Sequence, residues 1–298
     1  MRILFVTSNR IGDAVLSTGL LDHLIRRYPD CRITVACGVA AEGVFARMPN
    51  LERLIPLEKR PYGLHWPPLW AATVGTFWDL VVDIRGSALA WLVPARRRAV
   101  MRSGRGGHKT AQLAALLGLD PPPLPVAWTA PADRDLAARL LPAGPPVVAL
   151  APTANWTGKV WPPERFVALY HRLAAGPLPG ARVAVLAGPG EQERALAAPV
   201  LLALPGAIDL CGTLSLPEAA ACLARSALFV GNDSGLMHLA AAAGVPTLGL
   251  FGPTPAEEYA PAGRRTAVAV ARGSTMAELS VDEAFAAAEW LVTVPEPA

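Results

Sequence analysis

Apolar residues recur along the chain with two spacings, and the switch between them marks the predicted elements. The run Ile3-Leu4-Phe5-Val6 is continuous, short and partly β-branched, as suits a strand buried on both faces. Over residues 14–28 the spacing changes: Leu16, Leu20, Leu24 and Tyr28 fall four apart and share one face of a helix. Residues 32–37 read as the next strand, with further strands at Leu51–Leu57 and residues 80–84. Proline-rich residues 120–125 close this block, and residues 142–146 read as an interdomain linker. The alternation then returns as strand 147–150, helix 164–174, strand 182–186, helix 191–204, strand 228–230, helix 236–243 and strand 247–251. Strands alternating with helices require right-handed crossovers, which give a parallel sheet covered on both faces. The prediction is an α/β chain of two Rossmann-like, doubly wound domains, residues 1–144 and 145–298. Ligands are expected in an interdomain cleft at the carboxyl ends of the strands.

Composition supports this division. A chain of 298 residues is about twice one ordinary domain, and with 52% apolar residues it can fill two cores. The net charge of +3 permits an anionic partner without requiring one. No basic helix or aromatic-interleaved stripe appears, so nucleic acid is not an expected partner. Cys31, Cys37, Cys211 and Cys222 lack metal-like spacing and sit in apolar contexts, which points to buried, reduced thiols in a cytoplasmic protein. The first apolar run has neither a cationic segment before it nor a cleavage site after it, so it does not read as a signal peptide. The longest apolar stretch, residues 236–251, contains His238, Gly244 and Pro246 and divides into a helix and a strand better than it forms a membrane span.

Four segments that follow strands carry the candidate chemistry. In Ser8-Asn9-Arg10-Ile11-Gly12-Asp13, Gly12 suits a tight turn before a helix whose first amides are unpaired. Asp13 fits two roles there, a charge complement to the helix start or a general base for a sugar hydroxyl. The glycines of a dinucleotide fingerprint are missing. In Gly231-Asn232-Asp233-Ser234-Gly235-Leu236-Met237-His238, Ser234 and the amides after it suit phosphate oxygens, Gly235 allows close approach, and His238 lies one turn along. An ordinary capped helix with a satisfied histidine explains the same residues. Phe251-Gly252-Pro253-Thr254 would line the same rim. The stretch from Pro152 through Thr153 to Trp161-Pro162 places Lys159 among glycine and tryptophans, where it is either a solvated lysine or one that neutralises a diphosphate. In Gly188-Pro189-Gly190-Glu191-Gln192-Glu193, a glutamate could accept from ribose hydroxyls or simply open a helix.

Taken together, Ile11-Gly12-Asp13, Asp79-Leu80-Val81-Val82-Asp83 with Arg85-Gly86, Lys159-x-Trp161-Pro162, Gly188-Pro189-Gly190-Glu191, and the segment from Gly231 to Thr254 resemble the lipopolysaccharide heptosyltransferase family. The similarity of order and spacing covers nearly the whole chain, and residues 231–254 are its most diagnostic part. One departure is Ser234, where family members often have threonine; the hydroxyl is kept. The resemblance implies a GT-B architecture with the acceptor in the first domain and an ADP-sugar in the second. It also implies that the final helix packs back on the N-terminal domain, and inverting transfer of a heptose or related sugar to the lipopolysaccharide inner core. No metal or other cofactor is implied. By position, Asp13 becomes the base and Lys159 the donor-phosphate contact, with the donor also held by Gly12, Thr153, Gly188, Glu191, Asp233, Ser234, Gly235, Leu236, His238 and Gly252. The implied partners are the ADP-sugar, an anionic glycolipid core, and the inner membrane surface touched peripherally from the cytoplasm.

Basic residues cluster in the first block: Lys59-Arg60 in one predicted loop, Arg96-Arg97-Arg98 in another, and Arg102, Arg105, His108 and Lys109 around a glycine-rich turn. They are either solvated surface or contacts for an acidic acceptor, with Lys59, Arg60, Arg105, His108 and Lys109 as the acceptor candidates. Two rival functions remain open at this level: a nucleotide-sugar epimerase on the same architecture, and an inactive nucleotide-sugar-binding protein.

Overall fold

A computed structural model describes residues 1–102 and 106–294, which form two compact units that part between Trp128 and Thr129. The first unit runs β1 (Arg2–Val6), α1 (Ile11–Arg27), β2 (Arg32–Gly38), α2 (Glu42–Phe45), β3 (Leu51–Leu57), α3 (Trp66–Val74), β4 (Trp78–Asp83), α4 (Leu89–Leu92), β5 (Ala95–Val100) and α5 (Lys109–Ala114). Its five strands are all parallel, in the order β3-β2-β1-β4-β5. Central β1 is buried from Ile3 to Val6, as its unbroken apolar run requires. Leu4 and Val6 share a cluster with Leu69 of α3 and Leu89 of α4.

Two expectations change in this unit. Residues 96–98, read as a loop, are the middle of β5, an edge strand whose arginines hide it from an apolar pattern. Arg98 turns back onto the carbonyls of Ala90, Val93 and Ala95 at 2.7, 2.9 and 3.0 Å, so its guanidinium is spent on structure. Gly12 makes no tight turn, because α1 already begins at Ile11.

The second unit runs α6 (Pro131–Leu140), β6 (Val147–Ala151), α7 (Pro163–Ala175), β7 (Arg182–Val185), α8 (Glu191–Ala203), β8 (Ile208–Asp209), α9 (Leu216–Leu223), β9 (Leu228–Asn232), α10 (Gly235–Ala242), β10 (Thr247–Phe251), α11 (Ala256–Tyr259), β11 (Thr266–Val270) and α12 (Val281–Thr293). The six strands are parallel, in the order β11-β10-β9-β6-β7-β8. Phe166, Leu169 and Leu173 of α7 recur at helical spacing and enter one core with Leu150, Val230, Leu250, Ala284 and Leu291. Burying each such large side chain contributes about 1.5–3 kcal/mol.

The chain divides after Trp128, upstream of the expected boundary at Gly144. The cause is α6, which packs on α9, while Arg225 holds the carbonyl of Leu141 at 2.8 Å. The final helix, α12, packs on α7, β9, β10 and β11 of its own unit. Ser280 and Glu283 close its start reciprocally, with the Glu283 amide donating to Ser280 Oγ and the Ser280 amide to Glu283 Oε2. The apolar stretch 236–251 is the helix α10 followed by the strand β10, as predicted. Among the described residues, no helix is long and apolar enough to cross a membrane.

Candidate active site

The strand orders decide where ligands can sit. In each sheet the chain winds outward through three strands, then returns to the centre and winds the other way. Connections leaving the two central strands therefore part to opposite faces and leave a crevice at the carboxyl ends. In the first sheet those strands are β1 and β4; in the second they are β6 and β9. Of the segments singled out by motif, 8–13 follows β1, 152–162 follows β6 and 231–238 spans the end of β9, whereas 188–193 follows β7 and 251–254 spans the end of β10.

In the first unit, Asp13 stands half-buried in the first turn of α1 and accepts from Ser8 Oγ at 3.1 Å. The N-cap of α1 is Arg10, which makes no side-chain cap, so Asp13 is not the capping residue. At the end of β4, Asp83 is fully buried and accepts from Ser87 Oγ at 2.5 Å, the Arg85 amide at 2.9 Å and the Ser87 amide at 3.0 Å. Burial nevertheless holds its carboxyl above the usual range, against the lowering by those bonds. Arg85 Nη1 donates to Asn9 Oδ1 at 3.4 Å and its guanidinium lies 4.8 Å over the Trp66 ring. Asn9 in turn requires Gly38, where a Cβ would stand 2.5 Å from the Asn9 Cα.

The basic acceptor candidates are dispersed. Lys59 and Arg60 are exposed between β3 and α3, and Arg60 faces Glu58 at a loose 3.9 Å. His108 caps α5, accepting from the Thr110 amide at 3.3 Å, and Lys109 is the first residue of that helix. Arg105 lies outside the described residues.

The second unit brings its candidates together. Lys159, in a 3₁₀ turn after β6, pairs with Asp233 after β9 at 2.6 Å, and the two side chains are only 19% and 8% exposed. His238 Nε2 stands 4.0 Å from the other Asp233 oxygen. Asn232, the last residue of β9, ties the two loops: its Oδ1 accepts from the Trp161 amide at 3.0 Å and its Nδ2 donates to the Thr153 carbonyl at 3.4 Å. Asn232 was not among the predicted site residues, although a fully buried asparagine at a strand end is a signal of such a tie. Trp161 anchors the far side of the lysine loop, donating Nε1–H to the Leu279 carbonyl at 2.9 Å.

Ser234 is the N-cap of α10, with Gly235 and Leu236 as the first residues of the helix, yet its hydroxyl caps no amide. Ser234 Oγ and Thr254 Oγ1, after neighbouring strands β9 and β10, are buried with no hydrogen-bond partner among the described residues. Buried hydroxyls left unpaired beside a helix start are matched by a ligand rich in acceptor oxygens. Gly252 is shaped by packing, since a Cβ there would meet Met276 Sδ at 2.7 Å. After β7, the Gly188 amide donates to Glu193 Oε2 at 3.3 Å, which fixes that loop, whereas Glu191 is exposed at the start of α8. The arrangement therefore offers an ammonium held by a carboxylate, a helix N-terminus and two spare hydroxyls.

All four cysteines are buried, and burial pushes the thiols of Cys37 and Cys211 up to about 12 and that of Cys222 up to about 11. Among the described residues, no three His, Cys, Asp or Glu side chains are grouped to hold a metal ion.

Comparison with known proteins identifies the family of the chain. The chain is 30% identical over 291 residues to lipopolysaccharide heptosyltransferase 1 of Pseudomonas aeruginosa, covering 85% of this chain and 79% of that protein. It is 24% identical over 302 residues to lipooligosaccharide heptosyltransferase 2 of Haemophilus influenzae, covering 88% and 86%. The solved structure of E. coli ADP-heptose LPS heptosyltransferase II superposes with a TM-score of 0.78 at 20% identity, covering 98% of both chains, and shares the GT-B fold of two Rossmann-like domains. A family model described as glycosyltransferase family 9 (heptosyltransferase) matches residues 85–287, a span that includes the Lys159–Asp233 pair and the start of α10. The chain is a glycosyltransferase and belongs to glycosyltransferase family 9, the heptosyltransferases.

Proposed function

We propose that this protein moves a heptose, or a closely related sugar, from an ADP-sugar to the inner core of lipopolysaccharide with inversion at the anomeric carbon. The observation that carries the reading is the Lys159–Asp233 pair beside the α10 N-terminus, at the switch point of the second sheet. A nucleoside diphosphate carries the oxygens that this site lacks. The Lys159 ammonium keeps two N–H donors beyond its bond to Asp233, and these, with the amides of Gly235 and Leu236 and the Ser234 hydroxyl, stabilise the charge that develops on departing ADP. Asp233 positions the Lys159 ammonium for the donor with His238 beside it, and Thr153, Gly188, Glu191 and Gly252 border the site. In the first unit, Asp13 removes the proton of the acceptor hydroxyl, which attacks the anomeric carbon opposite the diphosphate, and Ser8 holds the Asp13 carboxylate. With a lysine and helix amides facing the leaving group, the reaction needs no divalent ion, and EDTA should leave the rate unchanged. The enzyme works in the cytoplasm, where the nucleotide-sugar is made, and meets the glycolipid core peripherally at the inner face of the inner membrane. Lys59, Arg60, His108 and Lys109 are the basic groups offered to that acceptor.

The test is a screen of ADP-sugars with purified protein and a truncated core acceptor, read by mass spectrometry. The expected product is the acceptor heavier by one heptose, together with free ADP. Release of an epimerised donor, with the acceptor untouched, would replace this reading by that of an epimerase.

A further inference from the structure

Between Ala154 and Trp161, both buried, the loop after β6 runs along the surface with Asn155, Trp156 and Thr157 exposed. Among the described residues, the side chains of these three form no hydrogen bond. What lies against the turn that follows is an indole. A Cβ at Gly158 would stand 2.6, 2.8 and 2.8 Å from Cζ2, Cε2 and Cη2 of Trp156, so the ring occupies the space that a larger side chain at 158 would need. Gly158 has no left-handed backbone that would itself demand glycine, and the indole is therefore what excludes a larger residue. The Trp156 carbonyl also accepts from the Lys159 amide at 3.0 Å, which closes the turn Thr157–Lys159. Yet the Trp156 side chain is 54% exposed, and none of residues 155–158 belongs to the apolar core of the unit.

We propose that Trp156 is a positioning residue for Lys159: its ring, seated on Gly158, keeps the 157–159 turn wound, so that the ammonium stays on Asp233 and in place for a diphosphate. The physical need is plain. Lysine is a point charge on a long flexible stem, and here it is held at its tip by one bond, to Asp233 Oδ2 at 2.6 Å. Unless its backbone is fixed as well, a ligand must supply the entropy of ordering that stem, and a group set in advance spares it that cost. Asn232 fixes the far end of the loop through the Trp161 amide, but that bond lies two residues beyond the lysine. On the near side, the indole on Gly158 is the side-chain contact that serves. The inference rests on the proposed donor site and adds the residue that prepares it.

The experiment uses the full-length protein labelled with ¹⁵N-lysine. Its lysines are Lys59, Lys109 and Lys159, so the ammonium signal protected by Asp233 is assigned by its loss in Lys159→Met. Trp156→Ala and Gly158→Ala should each broaden that signal through faster exchange, while Trp156→Phe, which keeps a flat ring, should retain it. Thermal melting checks that every variant folds. Adding Gly158→Ala to Trp156→Ala should change nothing further, because the three atoms nearest the new Cβ all belong to Trp156. ADP affinity by calorimetry should fall about two- to tenfold in Trp156→Ala, the range for immobilising one long side chain on binding. In the Lys159→Met background the same change should cost nothing more. An unchanged Lys159 signal in Trp156→Ala would overturn the proposal. So would ADP losses that multiply in the double variant, the mark of an indole that touches the ligand itself. If Lys159→Met binds ADP as wild type does, the proposed donor site fails, and the ammonium signal still decides the role of Trp156.

Discussion

Replacing Asp233 by asparagine would isolate the interaction on which the donor site depends. Two unit charges 2.6 Å apart attract by about 6 kcal/mol at an effective dielectric of ~20 and by about 1.6 kcal/mol in water. With side chains 19% and 8% exposed the pair sits nearer the first limit, and desolvation takes back part of the gain. Removing one partner leaves the other charge buried and unmatched, so Asp233→Asn and Lys159→Met should each cost the second unit about 3 kcal/mol. The double variant should cost much less than their sum, giving a coupling of about 2–3 kcal/mol. Hydrogen exchange of peptides covering β6 and β9 reads the second unit by itself, so unfolding of the first does not enter the cycle. The functional effects should have opposite signs. Asp233→Asn frees the ammonium and should bind ADP at least as tightly as wild type, while Lys159→Met should bind it about tenfold more weakly. A coupling below about 1 kcal/mol is what an exposed pair gives and would refute the reasoning, as would loss of ADP affinity in Asp233→Asn.

Asp13→Asn keeps size and polarity but cannot take a proton, so turnover should fall about 100-fold or more with ADP affinity by calorimetry unchanged; near wild-type turnover would reduce Asp13 to a charge at a helix start. Gly19→Ala should destabilise the first unit by about 1–3 kcal/mol, because its Cβ would stand 2.6 Å from the Pro123 carbonyl oxygen. Gly75→Ala, whose Cβ meets nothing within 4 Å, is the control, and equal melting temperatures for the two variants would contradict the packing. Burial raises the Asp83 carboxyl in the folded chain above its unfolded value, so the folded state binds the extra proton and stability falls as pH rises across that interval. In urea titrations the stability of wild type minus that of Asp83→Asn should therefore shrink as pH rises from about 4, and a difference that grows would count against the assignment.

What the sequence made legible follows from period and punctuation. Buried strands such as β1, β6 and β10 appear as unbroken apolar runs because a parallel sheet covered on both faces leaves no polar side. Helices with a full apolar stripe, α1 and α7, appear for the corresponding reason. The edge strand β5 did not appear, since an edge tolerates arginines and its pairing with β4 is a matter of tertiary contact. The compact units part at Trp128 and not at the proline-rich segment near Gly144, because prolines mark where a chain turns, not which neighbour a helix chooses: α6 lies against α9, and no local signal announces it.

The site divides in the same way. Loop position made Asp13, Lys159, Asp233, Ser234 and His238 candidates, because polar residues after apolar strands mark the carboxyl edge of a parallel sheet, and only the family resemblance gave them roles. Lys159 and Asp233 are 74 residues apart in the chain, and only the strand order that sets β6 beside β9 brings them to 2.6 Å. The same holds for Arg85 on Trp66 and for Asn232 between two loops. Sequence determined which chemistry each loop carries, since side-chain type and strand period are local properties. Tertiary structure decided which loops meet, because adjacency in a doubly wound sheet is set by packing between strands far apart in the chain.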